Sequence, residues 1–589
     1  MNKKYNFKII FIVVLVLQLI SCTKNQNETL MMGKGDSSFI KLSDEFISGY
    51  LEWRPQYGTS IGLHEYDGNV TDFSMESING EINRLKKYEK ELLAIDTTAL
   101  SSKMLYDYKI LLNSIRSDIF DFEVREGYRK NPMTYAGVIG VDIYIKRNFA
   151  LLEDRFKSII AIEKEASKVY ENARKNLNDS LPKSYIETAI LMAKGTTDFL
   201  GKDLILALKD VKDEQLMKEF KETNKKAISE INSYADYLAK EKLPKANMNF
   251  SLGRENYRKM LEGEMIYLEP EKILEIGMKQ LREEQKIFEE TARKINPNKK
   301  AIEVYEDIKN DHPTASNLIP DARKNLESIR QFLIDKEIVT VPSDVRVKVE
   351  ETPQFARATS FASMDTPGPY ETKATEAYYY ITPVENNWTE KQKDEWLTAF
   401  NYYTTDIVSI HEAYPGHYLQ FLHLNSSDAS KVRKIFGSYA FIEGWAHYTE
   451  KMVIDEGYGS GKDSITAAKY RLAQLDESLL RLCRLCVSIK MHCQGMSLDD
   501  ATEFFMDNCY YEEKPARQEA IRGTYDPGYL YYTLGKLMIL KLREDYKKQE
   551  GSNYTLQKFN DNFINNGMPP VILMREILLK DKNIWEEVL

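Results

Sequence analysis

Histidine is scarce in this chain: there are seven in 589 residues, and four of them, His411, His417, His423 and His447, fall between residues 411 and 450. Cysteine is scarcer. Cys22 stands alone near the N-terminus, Cys483, Cys486 and Cys493 crowd one helix-like stretch, and Cys509 follows. That spacing excludes a scaffold built on disulfides. No basic cluster stands out against a net charge of −9, which excludes nucleic acid as a partner. No repeat recurs at a fixed period. The apolar run Ile9 to Leu17 is too short to span a bilayer.

What is present near the N-terminus reads as an address. Lys3, Lys4 and Lys8 precede the apolar run, which ends in Leu19-Ile20-Ser21-Cys22. The pattern resembles a bacterial lipobox, so residues 1–22 are expected to be a lipoprotein signal peptide with Cys22 lipidated. Residues 23–38 are polar and read as a flexible tether. No acidic export tag follows Cys22, which places the expected anchor in the outer membrane of a bacterial envelope, facing the periplasm.

The rest is too long for one core. Helical periodicity dominates, as in Ile82, Leu85, Tyr88 and Leu92. It lapses over Lys242 to Gly253, around Pro244, so residues 39–245 are expected to form an N-terminal helical domain and 246–589 a catalytic helical domain. In the latter, Pro270 opens a helix with Leu274, Met278, Leu281 and Phe288 on one face. Val345, Val347 and Val349 alternate with Arg346 and Lys348 and read as a strand. Ala377 to Ile381, with Tyr379 at its centre, reads as another. Pro367-Gly368-Pro369 lies between as a loop. Thr389 and Gln392 form a capping-box signal for a helix running toward His411. The fold class is mainly α with a small β-sheet near the site.

The motif His411-Glu412-Ala413-Tyr414-Pro415-Gly416-His417 points to metal chemistry. Catalytic zinc takes three protein ligands and keeps one position for water, and two histidines four apart on a helix supply the common pair. Six residues apart, His417 would lie about 240° around from His411 on an unbroken helix. Pro415-Gly416 supplies the remedy: if those two residues bulge out, the remaining spacing restores a shared face. Glu412 then stands where a general base belongs, taking a proton from water whose pKa zinc lowers to about 7. Glu443, on a following helix, is the expected third ligand, and Gly444 beside it allows close backbone approach. Glu450 lies two turns further on and would orient His411 or His417. His447 reads either as a neighbour of the ligands or as a structural residue, and His423 as a structural one.

Together with Gln420 and Glu-Gly-Trp-Ala-x-Tyr at 443–448, the motif resembles the bacterial family labelled domain of unknown function 885. Gly62-Leu63-His64, Asp526-Pro527-Gly528 and Tyr532-Thr533-Leu534-Gly535 share in the resemblance. That family is similar to helical zinc peptidases of the angiotensin-converting-enzyme and thermostable-carboxypeptidase type. The resemblance implies a metallopeptidase-like fold with a deep channel, one Zn2+ per chain held by His411, His417 and Glu443, and Glu412 as base. Tyr532 matches the family pattern and is the expected oxyanion donor, with Tyr525 in reserve, and Arg522 would hold a substrate carboxylate. His492 falls in a segment where the family carries a histidine and is expected at the oxyanion or substrate, although Ser488 stands where an aspartate belongs. Cys483-x-x-Cys486 with Cys493 is not read as a second metal site, because no Gly or Pro makes the turn such a site needs.

The expected function is a zinc hydrolase of short peptides or other amides, with the strand at Tyr379 offering an edge to an extended substrate. The alternatives are a hydrolase of non-peptide amides or esters, and a non-catalytic binding lipoprotein on the same scaffold.

Overall fold

The computed structural model describes residues 33–353, 357, 360–461 and 463–589. The expected signal peptide, Cys22 and tether residues 23–32 lie outside the described residues. The last tether residues do not extend: Asp36 opens helix α1 (Asp36–Trp53), its carboxylate accepting from the Gly33 and Ser101 N–H groups at 2.9 Å each. The molecule is mainly helical with one small sheet, and no described helix is long and apolar enough to cross a membrane.

Two buried apolar clusters organise the chain. The smaller joins α4 (Leu152–Lys164), α5 (Lys183–Asp198) and α6 (Glu214–Tyr237) around residues such as Phe156, Ile186 and Ile231, and spans Tyr135 to Leu238 with Ala374. The larger holds the elements from Tyr257 onward. It also takes in α1, α2 (Met75–Leu93) and α3 (Ser102–Phe120) through Phe46, Leu85 and Ile115. The expected division at residue 245 therefore does not follow the division of the buried clusters. An amphipathic stripe announces that a helix has a partner but not which one. Here Phe46 meets Phe436 at 6.1 Å, and buried Asp107 pairs with Arg433 at 2.6 Å.

In the larger body, α7 (Pro270–Ile295) opens on Pro270 as expected. The sheet comprises β1 (Lys348–Glu351), β2 (Ala362–Asp365) and β3 (Tyr378–Ile381), in the order β1-β3-β2. β3 pairs in parallel with β1, Tyr378 opposite Lys348, and antiparallel with β2, Ile381 opposite Ala362. This overturns the expected edge role of the Tyr379 strand: with a neighbour on each side, β3 has no free ladder to offer. The Tyr379 ring is buried and its hydroxyl accepts from Ser409 at 3.3 Å, so it packs the sheet onto the next helices.

The Thr389–Gln392 capping box forms and opens α8 (Glu390–Ala399). That helix stops short of the motif. Asn401 caps a new one, α9 (Tyr402–Glu412), by accepting from the Thr404 N–H. Beyond it come α10 (His417–Ser426), α11 (Tyr439–Asp455), α12 (Ser464–Cys493), α13 (Glu513–Tyr525) and α14 (Tyr531–Glu550).

Candidate metal centre

The bulge expected between the two histidines is present. α9 ends at Glu412 and α10 begins at His417. Across the gap the Gly416 N–H donates to the Ile410 carbonyl at 2.9 Å and the Leu419 N–H to the Ala413 carbonyl at 3.1 Å. Each bond reaches back six residues where a continuous helix reaches back four, so two residues have been absorbed. His417 thereby occupies the place of a residue one turn after His411. The Tyr414–Pro415 peptide is cis. Gly416 is required by space: a Cβ there would lie 1.7 Å from the His411 carbonyl oxygen. The Trp445 indole N–H donates to the Pro415 carbonyl at 2.9 Å, fastening the bulge to α11.

α11 also delivers Glu443. Its Oε2 lies 3.5 Å from His411 Nε2 and 3.4 Å from His417 Nε2, and the two imidazole planes stand at 89°. Charge-assisted N–H···O bonds run at about 2.7–2.9 Å, so these contacts are long for direct pairing. They do match the edge of a tetrahedron: ligand bonds of about 2.0–2.2 Å place neighbouring donor atoms about 3.4 Å apart. Glu443 Oε2 is buried and has no hydrogen-bond partner. Two imidazoles and a carboxylate converging on an unsatisfied oxygen are a donor set that fits zinc. Among the described residues, His411, His417 and Glu443 are the one group of His, Cys, Asp or Glu side chains so converged.

The surroundings hold this geometry. Glu450 is fully buried on α11 and accepts from His411 Nδ1 at 2.6 Å, from His447 Nδ1 at 3.1 Å, and pairs with Arg481 at 3.3 Å. It orients His411, one of the two choices the sequence left open. Burial works to raise the Glu450 carboxyl, but Arg481, His447 and the hydrogen bonds hold it well below the usual range. Glu443 is likewise held well below by the two histidines against the cost of burial. Burial alone would lower the His411 imidazole, yet the Glu443 and Glu450 carboxylates beside it lift it to about 9. The pocket thus favours a positive charge between its carboxylates. His447 is pushed well below its ordinary range by burial and by the nearby Lys536 ammonium, so it sits neutral beside Glu450.

Tyr532 meets the triad, and two further residues meet Tyr532. The Tyr532 ring lies nearly parallel to His411, with centroids 6.3 Å apart, and Tyr439 meets it edge-on at 5.8 Å. The Arg522 guanidinium sits 5.8 Å over the same ring while pairing with Asp526 at 2.9 Å and donating to the Tyr439 hydroxyl at 3.4 Å, so it belongs to this cluster with partners already. Glu412 closes α9, half-buried, and its carboxylate has no hydrogen-bond or ion-pair partner among the described residues.

Other expectations give way. His492 is buried: Leu252 N–H donates to its Nδ1 at 3.2 Å and its Nε2–H donates to the Gly523 carbonyl at 2.8 Å. Burial lowers it to about 4. With both nitrogens taken by backbone it is a structural tie, and no ring atom remains for an oxyanion. Ser488 shares that work, donating to the Pro527 carbonyl at 2.7 Å. Tyr525 packs edge-on against Tyr185, centroids 6.2 Å apart, in the wall of a separate cavity. His423 bridges Asn565 and the Thr340 carbonyl at 2.8 Å each, the structural role expected of it. The four described cysteines are free, with Cys483, Cys486 and Cys509 buried. Sequence reasoning gave no task to Trp445 or Arg481. Trp445 stood inside the quoted motif, but its partner carbonyl is thirty residues away and carries no side-chain signal.

The family model described as a bacterial protein of unknown function (DUF885) matches residues 55–578. No curated protein matches the chain. Two solved structures are similar throughout. One is a candidate lipoprotein of unknown function from Shewanella oneidensis, 25% identical with a TM-score of 0.77, the match covering 92% of this chain and 100% of that one. The other is a candidate lipoprotein from Colwellia psychrerythraea, 17% identical with a TM-score of 0.77, covering 95% of this chain and 100% of that one.

Proposed function

The chain belongs to the bacterial DUF885 family of unknown function, and we propose that it is a zinc-dependent hydrolase that cuts peptide or other amide bonds. The observation that carries this reading is the unsatisfied Glu443 oxygen at 3.4 and 3.5 Å from two imidazole nitrogens. Held by His411, His417 and Glu443, one zinc ion would act as a Lewis acid and lower the pKa of water at its open position to about 7. Glu412, unpaired and next to His411, would accept that proton and return it to the leaving amine. Tyr532 would donate its hydroxyl to the developing oxyanion, with the Arg522 charge over its ring favouring the donor. Glu450 would fix the tautomer and plane of His411.

The same reading takes the chain as similar to the helical zinc peptidases, with a channel leading to the triad. It also takes Cys22 as the lipid anchor in the outer membrane facing the periplasm. The lipobox pattern supports the anchor, as do the descriptions of the two similar structures as candidate lipoproteins.

The test is the metal content of the purified mature protein beside His417→Ala, followed by a peptide-library screen with Glu412→Gln as control. About one zinc per chain, lost in the variant, and cleavage abolished by Glu412→Gln support the proposal. No zinc in either protein after reconstitution overturns it and leaves a binding lipoprotein.

A further inference from the structure

Two cavities lie against the segment that leads into Tyr532. The first, about 510 Å3, is lined by residues that include Tyr439, Asp526, Tyr531, Asp121 and Arg125. The second, about 530 Å3, shares Asp121 and Arg125 and continues to Tyr185, Asn249 and Tyr525. Each is of the size that takes a small organic ligand. Tyr439 links the first cavity to the triad: it stands one helical turn before Glu443 on α11, on the same face, and its ring meets Tyr532. The cavity wall therefore includes a residue one turn from a proposed ligand.

The walls differ in chemistry along the way. Asn131, Asn178, Asn247, Asn249 and Asn256 line the second cavity. Asn131 accepts from the Met133 N–H, Asn256 donates to the Leu252 carbonyl, and Asn247 is held by Ser180 and the Asn249 N–H. Among the described residues this leaves the carboxamides of Asn178 and Asn249 for a ligand. A carboxamide offers a donor and an acceptor side by side, which is what a peptide group requires of a partner. In the first cavity the carboxylates are occupied. Glu264 accepts from Ser438 and from the Tyr439 N–H, Asp526 pairs with Arg522, and Glu262 with Arg258. Among the described residues, Arg125, where the cavities join, has one ion-pair partner, Asp121, in a half-exposed pair at 3.3 Å. Such a pair is weak, and a fork of guanidinium N–H groups is left to face the shared space.

We infer that the two cavities form one groove for a short peptide, in which Arg125 binds a carboxylate of that peptide and the Asn178 and Asn249 carboxamides bind its backbone. The carboxylate is either the free carboxyl terminus or an acidic side chain. This rests on the hydrolase reading, and it names the substrate class: short peptides bearing a carboxylate away from the bond that is cut.

Fluorescence anisotropy with a labelled alanine tetrapeptide tests it on the full Glu412→Gln chain, where turnover does not interfere. Three probes are compared: the peptide with a free carboxyl terminus, its carboxamide, and a carboxamide with one alanine replaced by glutamate. At least one carboxylate-bearing probe should bind about tenfold tighter than the plain carboxamide, and which one does identifies the source of the carboxylate. Arg125→Met should abolish that preference and leave binding of the plain carboxamide unchanged, while Arg125→Lys keeps part of it. Equal affinities for all three probes, or a preference that survives Arg125→Met, overturn the inference. Because binding is read and not cleavage, a chain that cuts peptides without this preference sinks the groove alone. A chain that binds no zinc but keeps an Arg125-dependent preference sinks the zinc reading alone.

Discussion

The indole N–H of Trp445 donates to the carbonyl oxygen of Pro415 at 2.9 Å. The helix that supplies the third proposed ligand thus grips the loop that sets the spacing of the first two. Trp445→Phe keeps most of the buried ring and removes the donor, leaving a buried carbonyl unpaired. The expected cost is about 1–3 kcal/mol, with a fall in zinc affinity, read by urea unfolding and chelator competition. Unchanged affinity would show that the bulge holds its shape without the indole.

A methyl group at Gly416 would have to share space with the His411 carbonyl oxygen, 1.7 Å away. Backbone lines that wall, so nothing flexible can yield. Gly416→Ala should cost about 3 kcal/mol or more and the chain should no longer retain zinc. A variant that still carries zinc at wild-type affinity would mean the bulge can be rebuilt, and the argument from absorbed residues would be wrong.

Glu450 accepts from His411 Nδ1 at 2.6 Å and faces Arg481 at 3.3 Å. Glu450→Gln retains an acceptor of similar size without the charge. Zinc affinity should drop about 10–100-fold, as for other partners of metal-bound histidines, with little change in helical circular dichroism. An affinity within error of wild type would reduce Glu450 to packing.

Glu163 carries a pH signature away from the site. Burial lifts its carboxyl to about 7 from 4.5, against the bonds it accepts from Asn224 and Thr223. The folded state then holds the proton more tightly than the unfolded one, so this contribution is complete below pH 4.5 and is lost as pH rises toward about 7. Glu163→Gln can keep the 2.8 Å bond from Asn224 Nδ2 and cannot ionise. It should match wild type near pH 4 and exceed it by about 3 kcal/mol near pH 8, measured as urea midpoints across that range. A constant difference at all pH values would remove Glu163 as the cause.

The parts legible in the sequence were those encoded by side-chain type at short range. The Pro415-Gly416 interruption announced the bulge, the Thr389 capping box announced a helix start, and the run of Glu443, Gly444 and Glu450 could be placed on one helix from its spacing alone. What escaped depends on partners far along the chain. β2, reading Ala-Ser-Met-Asp, is four residues long and carries no β-branched or aromatic side chain to betray it, and with β2 hidden the Tyr379 strand passed for an edge. His492 looked chemical because the resembled family carries a histidine in that segment, but the backbone groups that satisfy it are at Leu252 and Gly523 and carry no mark in the sequence. The packing of α1 to α3 against the later elements is hidden for the same reason, since an apolar stripe has no address.

Gly444 and Gly535 touch across α11 and α14 so closely that a Cβ on Gly444 would lie 2.6 Å from the Gly535 Cα. Glu443 precedes one of these glycines and Tyr532 stands three residues before the other. The span between the proposed ligand and the proposed oxyanion donor is therefore gauged by main chain resting on main chain, with no rotamer in between to relax or compensate. Any insertion of bulk at that crossing would be transmitted undiminished along both helices, and the two chemical groups would part company before either helix unfolded.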